Sequence, residues 1–502
     1  MRVLERRETF WLVATLIAVL CAMTNLPWTL DDYDQAKQAF TSFEAVNEGH
    51  WVYQHTPNEK IATKPPLIGW VSAAVYAVTR NWEIAWRFPS LLGALLLLVY
   101  LTRSASEAYG AAAGLLAMSA CGLNMLTPRL ASLVRTDMPL AFVIFLLGLI
   151  VWQKLRRGEG WQPRDRLIVF ALLTAAMLIK GPIVYAFLLP GVAAFEFWRR
   201  KAQQPISAWC GTWPWLASLA VFFAWAAGGI ATVPGFYEQV VLREFAGRFG
   251  DTVHRPQPLY FYIPHLLHKF APWSLLLIAL PIAAWRGGKL SRRAQEMAPE
   301  TAWLVCWAVG ALVVMSLVPS KRVDRIYPII PPLCLLIAGQ LAESRMTERL
   351  RGWSMLAVIA ACLLASGYSV QKVVRSYRAG EGNLVAFGAE VRAEAAKNGW
   401  RYEVVGGRDE GLLLYLRRTR FINPNEAAQR WSAGELDALV VPAEDAPQFL
   451  ASLPGSARTG VEASATINGE PRRYMLLLRQ QGNAARQTPA RLRPPTTQLS
   501  SA

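Results

Sequence analysis

The feature that most constrains this chain is a succession of apolar segments separated by short polar loops. A basic start (Arg2, Arg6, Arg7) leads into an apolar stretch at 10–26, and others follow at about 84–102, 109–127, 138–153, 167–180, 183–198, 213–231, 270–285, 301–318, 326–342 and 353–370. Each is near the length that a bilayer core demands once tilt is allowed for. Backbone in hydrocarbon must satisfy its own hydrogen bonds, so such segments become helices. The expectation is a mainly α, polytopic membrane protein of about 11 spans. The stretch 66–79 is apolar but only about fourteen residues long, and is expected to be a re-entrant or interfacial helix. Composition agrees, with 53% hydrophobic residues, 20 Trp and only 17% charged residues. A cleaved signal peptide competes for the first stretch, but no small-x-small site follows it, which favours a retained helix.

A net charge of +17 raises the question of nucleic acid. The Lys and Arg do not gather on one basic face, which excludes that class of partner. They punctuate the loops instead: Arg103; Lys154, Arg156, Arg157, Arg164 and Arg166; Arg199, Arg200 and Lys201; Arg286, Lys289, Arg292 and Arg293; Arg345, Arg349 and Arg351. With a cytoplasmic N-terminus, these positions are all cytoplasmic, as the positive-inside rule requires. The same parity turns the 31–83 loop, the 128–137 turn, Lys180, the 232–269 loop, the 319–325 turn and the C-terminal region outward. All five histidines (His50, His55, His254, His265, His268) go with them. The six cysteines lie in or beside apolar segments without metal-ligand spacing and read as buried thiols.

Residues 381–480 change character. Helix-like runs at 383–398, 409–418 and 425–434 alternate with strand-like runs at 402–405, 421–422, 436–441 and 474–478, the pattern of a small α/β domain. The segment 481–502 is rich in Pro, Thr, Gln and Arg and is expected to be a disordered tail. Residues 1–375 would form the membrane domain.

The outward residues carry the chemistry. Asp31, Asp32 and Asp34 follow the first span, Lys64 is presented by Pro65-Pro66, and Arg129, Arg135 and Asp137 sit in the next outward turn. Lys180, Arg248, Lys321 and Arg325 add cations at the same face. Lys and Arg grip phosphate through charge-assisted hydrogen bonds. A carboxylate beside a hydroxyl accepts its proton. Cations at the outer membrane boundary suit a phosphate carried on a lipid. The plainer readings are helix caps for Asp31, Asp32 and Asp137, a surface turn for Lys64, and lipid-headgroup anchoring for Lys321 and Arg325. His254, His265 and His268 suit interfacial packing, and the tryptophans an interfacial belt.

The order of these residues resembles a known family. Asp31-Asp32 after the first span, Lys64-Pro65-Pro66-Leu67, Arg135-x-Asp137-Met138-Pro139, Lys180-Gly181-Pro182, His254-Arg255-Pro256 before aromatics, and Ser320-Lys321 before Tyr327-Pro328 are similar to the ArnT-like and protein-mannosyltransferase-like integral-membrane glycosyltransferases of the GT-C class. The resemblance covers about 10–345. It implies a bacterial inner-membrane enzyme that takes a sugar from a polyprenyl phosphate at the extracytoplasmic face, with inversion by single displacement and no nucleotide sugar in the site. The acceptor is a lipid, glycan or protein. Asp31 matches the catalytic acid that orients or deprotonates the acceptor, and Asp32 its neighbour. Lys64 matches the lysine on the donor phosphate. Asp137 would steady the first loop from its turn, and His254 matches the loop histidine beside the substrate.

Two departures from the family pattern matter, the first of them for a metal. Where the aminoarabinose transferases of this family carry a glutamate before the lysine, linked to a metal site, this chain has Thr63; and where they carry an arginine three residues after the first acid, it has Asp34. No metal ligand is therefore assigned, and a divalent ion is left open as a cofactor. A transporter, flippase or accessory protein that holds a lipid phosphate without chemistry is the alternative. Such a protein is expected to bury ionisable residues near span centres and to show paired repeats, whereas here they cluster at one face.

Overall fold

The structure is a computed structural model that describes residues 3–58, 60–245, 256–286, 297–343, 348–407, 409–453, 457–467 and 470–480. The expected disordered tail at 481–502 and the site candidates Arg248 and His254 lie outside the described residues. The chain is mainly helical, as its apolar segments require. Among the described residues, six helices are long and apolar enough to cross a membrane: Trp82–Tyr109, Asp137–Arg157, Trp213–Thr232, Pro299–Leu317, Val323–Ala342 and Gly352–Arg378. Arg7–Met23, Pro163–Lys180, Ile183–Lys201 and Ser274–Arg286 are helices over four more of the apolar segments.

The segment expected at 109–127 differs. Its helix, Ala111–Gly122, has 12 residues, about 18 Å of rise against a core about 30 Å thick. Asn124 ends it. Its side-chain amide donates to the Ala120 and Cys121 carbonyls while its oxygen accepts from the Leu126 and Thr127 N–H groups. The orphan carbonyls of the helix end are thus satisfied within protein, and the helix is buried almost throughout. The stretch at 66–79 forms the short helix Leu67–Thr79.

The loop after the first apolar helix is folded. It contains the helix Tyr33–Glu48 and a two-stranded antiparallel pair, His55–Thr56 with Lys60–Ile61. Its apolar face, Leu30, Ala36, Ala39, Phe40 and Phe43, shares one buried cluster with Leu384, Phe387, Leu412, Leu413 and Leu416 of the C-terminal segment. Contact is close enough that a Cβ on Gly411 would stand 2.6 Å from the Leu30 carbonyl oxygen. Only glycine permits that approach.

In the C-terminal segment, the helices Asn383–Asn398, Glu410–Leu416 and Pro424–Ser432 lie where the sequence placed helix-like runs. Four strands run in the spatial order Tyr402–Val404, Ala438–Pro442, Glu470–Arg479, Ala457–Ile467; the first pair is parallel and the other two are antiparallel. The strand-like run at 421–422 is a single bridge, Val405 to Ile422. The strand Ala457–Ile467 and the helix Ala446–Ser452 were not among the elements expected from the sequence. The strand is a sheet edge in which Val461, Ala463, Ala465 and Ile467 alternate with polar residues, but its alanines and Gly460 make that alternation weakly apolar.

Helices Ile183–Lys201 and Pro299–Leu317 cross at two glycines. A Cβ on Gly310 would meet the Gly191 nitrogen at 2.7 Å, and one on Gly191 would meet the Trp307 Cα at 2.6 Å. Such contacts between backbones, with no side chain between them, are how membrane helices pack tightly. Gly310→Ala is therefore expected to lower the unfolding temperature in detergent, by the equivalent of about 1–3 kcal/mol of overpacking strain. An unchanged midpoint in a thermal melt would contradict the crossing.

Candidate functional site

Asp32 starts the helix Tyr33–Glu48. Its backbone is extended and its Oδ1 accepts from the Asp34 and Gln35 N–H groups at 3.0 and 3.3 Å, so the capping reading holds for this residue. The same carboxylate receives Arg135, whose Nη2 lies 3.0 and 2.9 Å from its two oxygens. Asp31, one residue outside the cap, faces elsewhere. The Tyr415 hydroxyl, 384 residues further along the chain, donates to Asp31 Oδ1 at 3.0 Å and accepts the Leu30 N–H. Burial pushes the Asp31 carboxyl up to about 6; the Tyr415 hydrogen bond opposes this, and the Glu381 and Asp409 charges add to it. Asp31 and Asp32 line a cavity of about 170 Å³ with Arg87, Lys372, Glu381 and Trp28.

On the other side of Asp32, charges alternate. Arg135, almost fully buried, reaches Asp324 Oδ2 at 3.1 Å through Nη1, and Arg129 reaches Asp324 Oδ1 at 3.0 Å. Asp34 receives Arg322 in a short hydrogen bond and lies 3.9 Å from Arg135. Burial alone would raise the Asp34 carboxyl, but Arg322, Lys64 and Arg135 outweigh it and hold the group below its ordinary value.

Lys64 follows the hairpin and immediately precedes Pro65-Pro66, which open the helix Leu67–Thr79. Proline suits that position because the first helical turn leaves its N–H groups unused. The half-buried Lys64 ammonium makes no ion pair of its own among the described residues. Desolvation and then the nearby Lys180 charge push it down to about 7, with Asp137 and Asp34 opposing. Lys180 is anchored to Asp137, Nζ to Oδ1 at 2.6 Å. The two ammonium groups thus face Asp137, with Asp34 a second carboxylate near Lys64; with Arg322 on Asp34, three cations meet two carboxylates, a local excess of positive charge suited to an anion.

The remaining sequence candidates fall elsewhere in the network. Lys321 Nζ donates to the Gln257 carbonyl at 2.9 Å, and Arg325 Nη1 to the Ser320 carbonyl at 2.8 Å. Both fold the turn that also carries Arg322 and Asp324. His265 packs its ring against Phe261, with centroids 4.5 Å apart, in line with its packing reading. Residues to which the sequence reading gave no role in the site are Asp34, Arg129 and Arg135, named there only as outward charges, together with Arg322, Asp324 and Tyr415. The first five stood in polar turns already noted as outward. Nothing local to Tyr415 signals its role, because its partner lies across the chain.

Arg135→Gln removes the cation between Asp32 and Asp324 and leaves the nearly buried Asp324 carboxylate with one partner fewer. Breaking a buried pair in this way costs about 3–5 kcal/mol. The variant is expected to unfold several degrees earlier in a thermal melt, and a loss as small as that of an exposed Arg103→Gln control would contradict the bridge.

A family model described as dolichyl-phosphate-mannose-protein mannosyltransferase matches residues 63–228. An undecaprenyl phosphate-alpha-4-amino-4-deoxy-L-arabinose arabinosyl transferase from Pseudomonas savastanoi pv. phaseolicola is 26% identical over 357 residues, covering 66% of this chain and 61% of the relative. The transferase 1 of that name from Sodalis glossinidius is 25% identical over 435 residues, covering 81% of this chain and 73% of the relative. The chain thus spans less than two thirds of the length of the first of these relatives. In fold, it is similar to the crystal structure of ArnT from Cupriavidus metallidurans bound to undecaprenyl phosphate, with a TM-score of 0.63, 19% identity, and coverage of 93% of this chain and 97% of that one. In sequence and in fold, the chain is similar to the ArnT-like and protein-mannosyltransferase-like family of integral-membrane GT-C glycosyltransferases.

Proposed function

We propose that this protein is a membrane glycosyltransferase that moves a sugar from a polyprenyl-phosphate donor to an acceptor lipid, glycan or protein. The proposed setting is the extracytoplasmic face of a bacterial inner membrane, which residues 1–375 cross repeatedly. Residues 381–480 would form an α/β unit on the same side. The observation that carries the reading is the Lys64, Lys180 and Asp137 cluster, joined through Asp34 and Arg135 to the acidic loop.

In this reading, Lys64 and Lys180 hold the donor phosphate. The acceptor hydroxyl attacks the anomeric carbon, the bond from that carbon to the phosphate oxygen breaks, and the polyprenyl phosphate leaves with its charge on the lysines. Asp31 takes the hydroxyl proton. A carboxyl with a value of about 6 is a suitable base near neutral pH because it is ionised yet still basic. Asp32 fixes the loop through its cap and Arg135, and Asp137 holds Lys180 in place.

The test is transfer in vitro from a defined polyprenyl-phosphate sugar. Asp31→Asn is expected to lower kcat by about 10²–10⁴-fold with the donor KM nearly unchanged, and Lys64→Ala to raise the donor KM. Asp34→Asn tests the acid that does face the cations and is expected to keep most of kcat. Unchanged turnover in folded Asp31→Asn and Lys64→Ala would overturn the assignment. Donor binding without transfer to any acceptor would instead favour the lipid-phosphate transporter, flippase or accessory protein.

The pH profile follows from the two perturbed groups. The free enzyme needs Asp31 ionised and Lys64 protonated, so kcat/KM should rise as pH passes about 6 and fall as it passes about 7. Bound phosphate favours the lysine ammonium, so the falling limb of kcat should lie at higher pH than that of kcat/KM. Tyr415→Phe deletes a hydrogen bond to the Asp31 carboxylate, and the rising limb should move to higher pH. A limb that stays in place would separate Tyr415 from the titration.

A further inference from the structure

The same outward loop holds a second cluster of ligand-bearing side chains. The helix Tyr33–Glu48 ends at Gly49, which adopts φ +89°. That left-handed turn is open to glycine at little cost and sends the chain back along the helix. His50 is thereby brought under Glu44, and its Nδ1 makes a short contact with Glu44 Oε1. The chain then enters the hairpin, where His55 pairs with Ile61 and points its own Nδ1 at the same Oε1 from 3.2 Å. The two imidazole rings stand edge to face, 4.3 Å apart. One ligand atom from each of Glu44, His50 and His55 fits within 4.8 Å of the others, and this is the group of that kind found among the described residues.

We propose that Glu44, His50 and His55 form a binding site for a divalent transition metal, with zinc as the fitting ion. Two imidazole nitrogens and one carboxylate oxygen are a recurrent zinc set that leaves a fourth position open. Ligand atoms about 2.0–2.1 Å from a tetrahedral ion lie about 3.3 Å from one another, and the His55 to Glu44 separation of 3.2 Å is already that distance. Glu44 is 1% exposed, and its second oxygen accepts the His55 backbone N–H at 3.3 Å. That contact fixes the carboxylate and is the kind of outer support that metal ligands receive. The three residues line a cavity of about 310 Å³ that extends to Glu48, Gln239 and Arg420, so the open position faces space.

The set is separate from the Lys64 cluster. Thr63 offers no carboxylate beside that lysine, and the nitrogens and oxygen proposed here come from the helix end and the first hairpin strand. Bound there, the ion clamps the helix to the hairpin whose return strand, Lys60–Ile61, leads into Lys64. The proposal does not depend on the transfer reaction, and metal content is measured without it.

The experiment is elemental analysis of the full chain, purified in detergent without chelator and without a polyhistidine tag. The stripped protein is then titrated with zinc chloride and followed by thermal unfolding. The wild type is expected to carry about one zinc per chain and to melt higher with zinc than after stripping. His50→Ala and His55→Ala are expected to bind zinc at least about tenfold more weakly and to lose the zinc-dependent shift. Because Glu44 is buried and His50 is half-exposed, the histidine variants report on the ion without disturbing the core. His268→Ala, at an exposed histidine outside the cluster, should retain wild-type zinc. A wild type with no zinc and no zinc-dependent shift overturns the proposal and leaves a hydrogen-bonded triad. Wild-type zinc in both His50→Ala and His55→Ala also overturns it, as does equal loss in His268→Ala.

Discussion

Much of the charged face depends on one guanidinium. Arg135 is almost completely buried, yet it joins Asp32 at the start of the first loop helix to Asp324 in the first turn of the apolar helix Val323–Ala342. Two carboxylates so near each other at a low-dielectric boundary would repel, and a single unpaired arginine there would be costly to desolvate. Each group is tolerable only because the others are present. The planar fork of arginine serves this better than an ammonium, because its two terminal nitrogens address separate carboxylates in fixed directions. The bridge thereby sets the position of the acidic loop relative to two turns distant from it in sequence.

Around that bridge, the polar groups divide into two environments. On one side Asp31 is buried against Tyr415, with Glu381 and Asp409 as its charged neighbours, and its proton is held more tightly than in water. On the other side Asp34, Lys64, Lys180, Arg322 and Asp137 form a field with excess positive charge. Opposite shifts in adjacent groups are a usual mark of a functional site, since burial and charge pairing are arranged there to separate acid and base roles. The C-terminal segment takes part in this division. It contributes Tyr415 and, through Leu412, Leu413 and Leu416, a buried apolar surface on which the first loop rests.

Much of this was legible in the residues. Apolar length gave most of the helices to within a few residues, because hydrocarbon imposes a helix wherever a long apolar run enters it. Lys64 stood out because Pro65 and Pro66 fix the chain on one side of it, and Asp32 because an acid before a polar helix is a natural cap. Asn124 shows the opposite case. Its segment is apolar enough to be read as a span, but one side chain with both donor and acceptor ends the helix early. The edge strand Ala457–Ile467 was missed for another reason: its alternation, Val461, Ala463, Ala465 and Ile467, is built largely on alanine and so is a weak apolar signal, although it pairs along its length with Glu470–Arg479.

The sequence by itself determined that the chain is a helical membrane protein with a polar, cation-rich face, because hydrophobic length and charge placement are properties of single segments. It also determined which residue types were available to that face. Only the tertiary structure decided how they combine. Arg135 sits between Asp32 and Asp324, Lys180 is held by Asp137 beside Lys64, and Asp31 meets a tyrosine 384 residues away. Those pairings are set by the packing of distant elements on one another, and the charge states of Asp31 and Lys64 follow from the burial that this packing imposes.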